Sequence, residues 1–310
     1  MIETDNALLG LLLLLKQRDY SFTTITPASH ARVIARADRR RAQCVEDVLG
    51  WNLPFQPSEV DPLVMEYLYK AGAVAEDDGL LRSRVRVSSV ESCLYLHSAF
   101  PTEDRDAVFF GPDSYRFAHL IEAELANLAL GTNKLIVDIG TGAGVGAIVA
   151  GRLQPQASVA MTDINPAALR FARINAAAAN VSVTALHTDR LEGMDGAIDV
   201  ALANPPYIID GQERLYRHGG AWHGGQITGD MAGFVLPRLA RGGRLILYSG
   251  SAIVSGQDTM KARLLALARA HDCTLRYREI DPDVFGEELE RQAYAEVDRI
   301  ALIAAIFERS

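Results

Sequence analysis

Cysteine is scarce. Three residues, Cys44, Cys93 and Cys273, are too few and too scattered for a disulfide framework or a zinc-ligand spacing, which points to a reducing compartment, the cytoplasm. Long apolar runs are absent as well. The most apolar stretch, ALLGLLLLL at residues 7–15, is too short to span a bilayer. Glu3 and Asp5 stand where a signal peptide carries basic residues, and no small-residue cleavage site follows, so a buried amphipathic helix is expected. Nor is there an excess of positive charge. The formal net charge of -8 excludes a protein basic all over, while a local basic patch remains compatible with it. No internal repeat or low-complexity tract is visible. What is left is a globular chain whose 310 residues suffice to bury a substantial core.

From residue 130 onward, short β-rich runs alternate with helical ones. LIVDIG (135–140) reads as a strand, then a glycine-rich turn and the helical VGAIVAGRL. SVAMTDI (158–164) is a second strand, and Asn165 with Pro166 opens its helix. VSVTALHTD (181–189), IDVALANPPY (198–207) and GRLILYSG (243–250) are the third to fifth strands. A helix at about 257–271 follows. CTLRYREI (273–280) and DRIALIAAIFE (298–308) close the chain as two strands without a helix between them. The pattern predicts an α/β fold: a Rossmann-like, doubly wound, mostly parallel seven-stranded sheet with an antiparallel terminal pair.

Residues 1–105 differ. Helices are expected at about 3–18, 28–49 and 61–74, then a turn at EDDGLL into the β-rich LRSRVRVSSV. Helix, turn and hairpin suggest a small helical, winged-helix-like domain for substrate recognition. PTEDRDAVFFGPDS is polar and turn-rich, so the junction falls there, with the second domain spanning 106–310.

Strand one runs into Asp138-Ile-Gly140-Thr141-Gly142-Ala-Gly144. Glycines permit positive φ and close approach of a ligand to the backbone. A turn between a strand and a helix N-terminus presents free amides at the carboxyl edge of the sheet, where open α/β sheets bind ligands. Asp163, at the end of strand two, is placed to accept hydrogen bonds from ribose hydroxyls, and Ile164 follows it. Asp189, at the end of strand three, can accept from an adenine amino group. Together these strand ends describe a nucleoside site.

Strand four ends in Asn204-Pro205-Pro206-Tyr207. Prolines cannot donate to a sheet ladder, so the strand stops there. An amide and a rigid backbone carbonyl can each accept one N–H of a planar amino group, hold the nitrogen, and expose its lone pair. An aromatic ring beside them offers a stacking face.

A dinucleotide fingerprint fits poorly. Started at Gly140 it meets Val145 in its sixth place, and started at Gly142 it fits only the alanine variant, with Ala147. The D-x-G-x-G-x-G pattern resembles the first motif of class I S-adenosylmethionine-dependent methyltransferases. NPPY, about 60 residues later, resembles the motif of their amino-methylating branch. The resemblance extends over roughly residues 105–310. It implies S-adenosylmethionine as cofactor, held by Asp138, Gly140, Thr141, Gly142, Gly144, Asp163, Ile164 and Asp189, with Asn204 between cofactor and substrate. It implies catalysis by Asn204, Pro205, Pro206 and Tyr207. FFGPDSYRFA (109–118) resembles the pre-strand segment over the cofactor's methionine end, where Ser114, Tyr115 and Phe117 would touch it.

Two bacterial groups share this motif. One methylates exocyclic base amines of ribosomal or transfer RNA, and the other a glutamine of peptide-chain release factors. The glutamine group carries a Pro-Arg-Pro-Glu-Thr-like segment before strand one, from which FFGPDSYRFA departs, so RNA is the main expectation and protein glutamine the alternative. Arg82, Arg84 and Arg86, alternating on one strand face, form an expected basic wing for phosphates. YRHGGAWHGGQ (216–226), with His218 and Trp222, is expected as a mobile loop at the substrate entrance, and no metal is expected. An NAD-dependent dehydrogenase and a non-catalytic RNA-binding module are the readings from other classes. Cofactor-binding measurements separate the first and a methyl-transfer assay the second.

Overall fold

Asn165 and Asn175, at the two ends of one helix, show how the chain is held together in the computed structural model, which describes residues 2–310. The helix is α7 in an order that begins with α1 (Glu3–Gln17), α2 (Pro27–Ile34), α3 (Val45–Leu49) and α4 (Pro62–Lys70). Two hairpins follow, β1 (Val74–Asp77) with β2 (Leu80–Ser83), and β3 (Val85–Val90) with β4 (Cys93–Ser98). Next come α5 (Pro112–Leu125), β5 (Leu135–Ile139), α6 (Val145–Leu153), β6 (Ser158–Asp163), α7 (Pro166–Ala178), β7 (Thr184–His187) and β8 (Ile198–Ala203). The chain closes with α8 (Gln226–Val235), β9 (Leu239–Val254), β10 (Gln257–Asp258), α9 (Thr259–Ala270), β11 (Cys273–Asp281) and β12 (Val297–Arg309).

The large sheet has the order β11-β12-β9-β8-β5-β6-β7, with β10 paired to β9 off this path. Pairing is parallel from β7 through β9, whereas β12 runs antiparallel to both β9 and β11. This is the expected doubly wound sheet with its antiparallel terminal strands. Ile136, Val137 and Ile139 on β5 are all buried, as a central strand covered by helices on both faces requires. The order reverses at β5, so its carboxyl end and those of β6 and β8 open onto one crevice.

The apolar run 7–15 lies within α1, whose Leu8, Leu11, Leu12 and Leu15 are buried at helical spacing and pack toward α4 and α7. No helix among the described residues is long and apolar enough to cross a membrane. Asn175, fully buried, accepts from the Leu96 amide at 2.8 Å and donates to the Leu96 carbonyl at 3.1 Å and to the Ala143 carbonyl at 2.9 Å. One side chain thereby fastens hairpin β3–β4 to the glycine turn.

Two expectations for the first hundred residues are corrected. Residues 28–49 do not form one helix. The chain breaks after α2, passes a 3-10 turn at Ala37–Arg39, and resumes as α3. The reason is Asp47, whose carboxylate accepts from Arg39 at 2.7 Å and from the Gln43 amide at 2.9 Å and so folds the arginine-rich run back. LRSRVRVSSV is likewise not one strand. It breaks at Arg84, whose amide donates to the Ala73 carbonyl at 2.8 Å.

Arg82, Arg84 and Arg86 therefore do not share a face. Arg82 pairs with Asp77 at 2.6 Å and donates to the Asn52 carbonyl, while Arg84 is exposed with its Nε donating to the Val74 carbonyl at 3.1 Å. Arg86 is 4% exposed and donates to the Gly50 carbonyl at 2.7 Å, with Thr24 and His30 beside it. Burial lowers its pKa to about 10.

Candidate active site

The glycine turn is shaped from below by Asp138. This carboxylate, 1% exposed, accepts from Thr141 Oγ1 at 2.5 Å and from the Ala147 amide at 2.9 Å, which ties the turn to the first residues of α6. Burial raises its pKa to about 6, while those two hydrogen bonds pull the other way. Gly146 packs against it so tightly that a Cβ would fall 2.6 Å from Asp138 Oδ1. Gly140, Gly142 and Gly144 all have positive φ, at 66°, 54° and 88°. Around Gly142 no atom lies within 4 Å of where a Cβ would be, so the turn presents bare backbone to open space.

Asp163 joins this turn to β6. Its Oδ2 accepts from the Gly142 amide at 2.9 Å and its Oδ1 from the Asn165 amide at 2.8 Å. Burial raises its pKa, and the backbone hydrogen bonds oppose that. Each oxygen keeps a lone pair for a ligand hydroxyl. Ile164 beside it is exposed, an apolar side chain at the rim of a polar site. Asp189 is exposed near the end of β7.

At the end of β8, Asn204 is half-buried, Pro205 buried, and Tyr207 7% exposed. The Tyr207 hydroxyl donates to Asp113 Oδ2 at 2.6 Å, and the Tyr248 hydroxyl donates to Asp113 Oδ1 at 2.8 Å. The Tyr207 ring lies against Gly250, where a Cβ would fall 2.2 Å from a ring carbon, and meets Phe285 edge-on at 5.9 Å.

Asp138, Gly140, Thr141, Gly142, Asp163, Ile164, Asp189 and residues 204–207 all line one cavity of about 780 Å³, whereas Gly144, expected with them, faces Ala172 of α7 and does not. That volume is in the range that takes a ligand of nucleoside-cofactor size. Phe109 and Tyr216, stacked with ring centroids 5.2 Å apart, stand at its wall, as do Phe285 and Arg217.

Residues 119–218 match the family model of the methyltransferase small domain. The chain carries a class I methyltransferase domain. Over 146 residues it is 36% identical to a protein of Mycolicibacterium smegmatis named release factor glutamine methyltransferase, a match covering 44% of this chain and 50% of that protein. A protein of the same name from Deinococcus radiodurans is 34% identical over 34% of this chain and 37% of its own length. The chain thus spans half or less of the length of these relatives. Among solved structures, Trm5b of Pyrococcus abyssi shares the fold, with a TM-score of 0.50 at 15% identity over 76% of this chain and 62% of that one.

Three further residues expected to touch cofactor or substrate lie outside the cavity. Tyr115 does not line the cavity. Its hydroxyl accepts from the Thr24 amide at 2.8 Å, so on α5 it faces the N-terminal segment, while Ser114 and Phe117 line the cavity. His218 is turned inward, its Nδ1 accepting from the Asp210 amide at 3.2 Å. Trp222 is half-exposed and carries the Arg263 guanidinium 3.7 Å over its ring, outside the cavity.

The segment 216–226 is not loosely attached. A Cβ at Gly219 would fall 1.9 Å from the Gly224 carbonyl oxygen, so these glycines serve close backbone packing. Asp210, held by Arg214 at 2.6 Å with its pKa lowered to about 2, anchors the same stretch, and the buried Glu288 pairs with Arg217 and Arg291. Sequence reading missed Asp113, Phe285 and the Phe109–Tyr216 stack. Asp113 sits within the quoted FFGPDSYRFA, but nothing in the sequence shows that two distant tyrosines converge on it.

Proposed function

We propose that the chain transfers the methyl group of S-adenosylmethionine to the side-chain amide nitrogen of a glutamine in a protein. The observation that carries the reading is that Asn204 and Pro205, at the end of β8, share one cavity with the glycine turn and Asp163. Relatives at 36% and 34% identity are named release factor glutamine methyltransferases, which favours glutamine over an RNA base. The basic wing that supported RNA is dissolved by the burial of Arg86 and the pairing of Arg82. Gly111-Pro112-Asp113-Ser114 also keeps the proline, acid, hydroxyl order of Pro-Glu-Thr, so its departure from the glutamine group is smaller than the letters suggest.

The residues present suit the cofactor. Bare backbone at Gly140 and Gly142 admits close approach, Asp163 has acceptor capacity for a ribose diol, and Ile164 and Phe234 offer apolar cover. When bound, S-adenosylmethionine supplies an electrophilic methyl on a sulfonium. The rest falls to the chain. Asn204 Oδ1 and the Pro205 carbonyl each accept one N–H of the glutamine amide, which draws the hydrogens aside and turns the nitrogen lone pair toward the methyl. The bond to nitrogen would form as the bond to sulfur breaks, with the electron pair leaving on a neutral thioether. The nitrogen then carries a surplus proton, acidic enough to leave to solvent without a strong base.

The test is labelled-methyl transfer from S-adenosylmethionine, run separately against glutamine-containing release factor and against deproteinised RNA. The expected result is label in the protein, lost in Asn204→Ala while cofactor affinity changes little. Label in RNA alone, or none in either, overturns the reading.

A further inference from the structure

Asp113 is the second residue of α5, yet its carboxylate is engaged by two tyrosines from distant parts of the sheet. Tyr207 follows β8 and Tyr248 lies on β9, and each donates to a different oxygen of Asp113, at 2.6 and 2.8 Å. Arg116 lies 3.5 Å from Oδ1 and extends the contact to Asp281 of β11 at 3.3 Å. An ionised carboxylate only accepts, so the orientations of both hydroxyls are fixed, and charge-assisted bonds of this length are the strong kind. Tyr248 is fully buried behind the cavity wall and is not one of its lining residues.

We propose that Asp113 is a positioning residue for methyl transfer, its carboxylate holding Tyr207 and thereby the acceptor pair at Asn204 and Pro205. The proposal rests on the N-methyltransferase reading given above. Tyr207 has little other freedom. Its ring is pressed onto Gly250 on one side and met by Phe285 on another, and the two prolines before it transmit its placement directly to residues 204 and 205. With the hydroxyl released, the ring can tilt in its slot, and the acceptors would shift by fractions of an ångström. Methyl transfer needs alignment of nitrogen, carbon and sulfur, and a loss of about tenfold or more is the ordinary consequence of such a shift.

The experiment compares Asp113→Asn, Asp113→Ala and Tyr248→Phe with the full-length protein. It measures single-turnover methyl transfer to the glutamine substrate, the KM for that substrate, and cofactor affinity by calorimetry. The expected result is a fall in the single-turnover rate of about tenfold in Asp113→Asn and Tyr248→Phe, larger in Asp113→Ala, with partial rescue by asparagine relative to alanine. Cofactor affinity and KM stay within about twofold, since Tyr248 lies outside the cavity and Asp113, although it lines the cavity, has both oxygens engaged by the tyrosines. Adding Tyr248→Phe to Asp113→Ala should cost nothing further, because the hydroxyl has already lost its partner. If Asp113→Ala does not fold, Asp113→Asn and Tyr248→Phe still decide. Wild-type rates in both, with only a lower Tm, overturn the proposal, and so does a loss of cofactor affinity that accounts for the whole rate change. A wild-type protein that transfers no methyl group to glutamine is a different outcome, which removes the functional reading itself.

Discussion

Gly224 approaches the backbone of Tyr207 so closely that a Cβ there would lie 2.4 Å from the Tyr207 carbonyl oxygen, and its φ of 91° is itself unfavourable for a residue with a side chain. Gly224→Ala therefore has to push the 216–226 segment away from the Asn204–Tyr207 turn. A loss of about 2–4 kcal/mol in unfolding free energy is expected, with a lower transfer rate in whatever fraction stays folded. Chemical denaturation and transfer assays on the same preparation check this. An alanine variant as stable as wild type contradicts the packing.

The Gly146–Asp138 contact makes a parallel prediction for the cofactor side. Gly146→Ala directs a methyl at Asp138 Oδ1, and a bound carboxylate has no flexible end to yield. The turn is expected to open, which would weaken S-adenosylmethionine binding about tenfold or more, measurable by calorimetry.

Asp163 bridges the glycine turn and the start of α7 as well as facing the cavity. Asp163→Ala removes a charged acceptor from two backbone amides, so a loss of about 1.5–3 kcal/mol in cofactor binding is expected together with a lower Tm. Added cofactor should raise the wild-type Tm more than the variant's.

His30 supplies a pH dependence. It is buried, with Nε2 at 3.0 Å from the Trp51 carbonyl and Nδ1 3.4 Å from the Arg86 guanidinium, an arrangement that suits the neutral ring. Burial and then Arg86 lower its pKa from 6.5 to about 4. The unfolded chain therefore binds more protons between these values. Stability from this group is complete above about pH 6.5 and is lost as pH falls toward 4. His30→Gln should flatten the rise in Tm over that interval, and an unchanged slope would remove His30 from the account.

Much of the catalytic half was legible because its signals are local. Apolar strands alternating with helices fix a parallel sheet whatever the side-chain details, and a glycine turn after one strand and Asn-Pro-Pro-Tyr after another reach the same edge by topology alone. What escaped was set by partners far away in the chain. Arg82, Arg84 and Arg86 alternate like a solvated strand face, yet the Ala73 carbonyl breaks the strand at Arg84 and the Gly50 carbonyl draws Arg86 inside. Tyr115 was assigned to the cofactor by its neighbours, whereas the helical turn points it at Thr24. The glycines of 216–226 promise looseness when counted, but here Gly219 and Gly224 make room for neighbouring backbone, and Gly220 and Gly225 for the side chains of Gln226 and Met260.

The amide of Asn175 answers at once to Leu96 in a hairpin of the first hundred residues and to Ala143 in the loop that would cradle the cofactor. A cut near residue 105 would strand that amide in an apolar interior with two of its three partners gone. Whatever loosens the β3–β4 hairpin thus also removes the backbone partners that hold Asn175 beneath the ligand cradle.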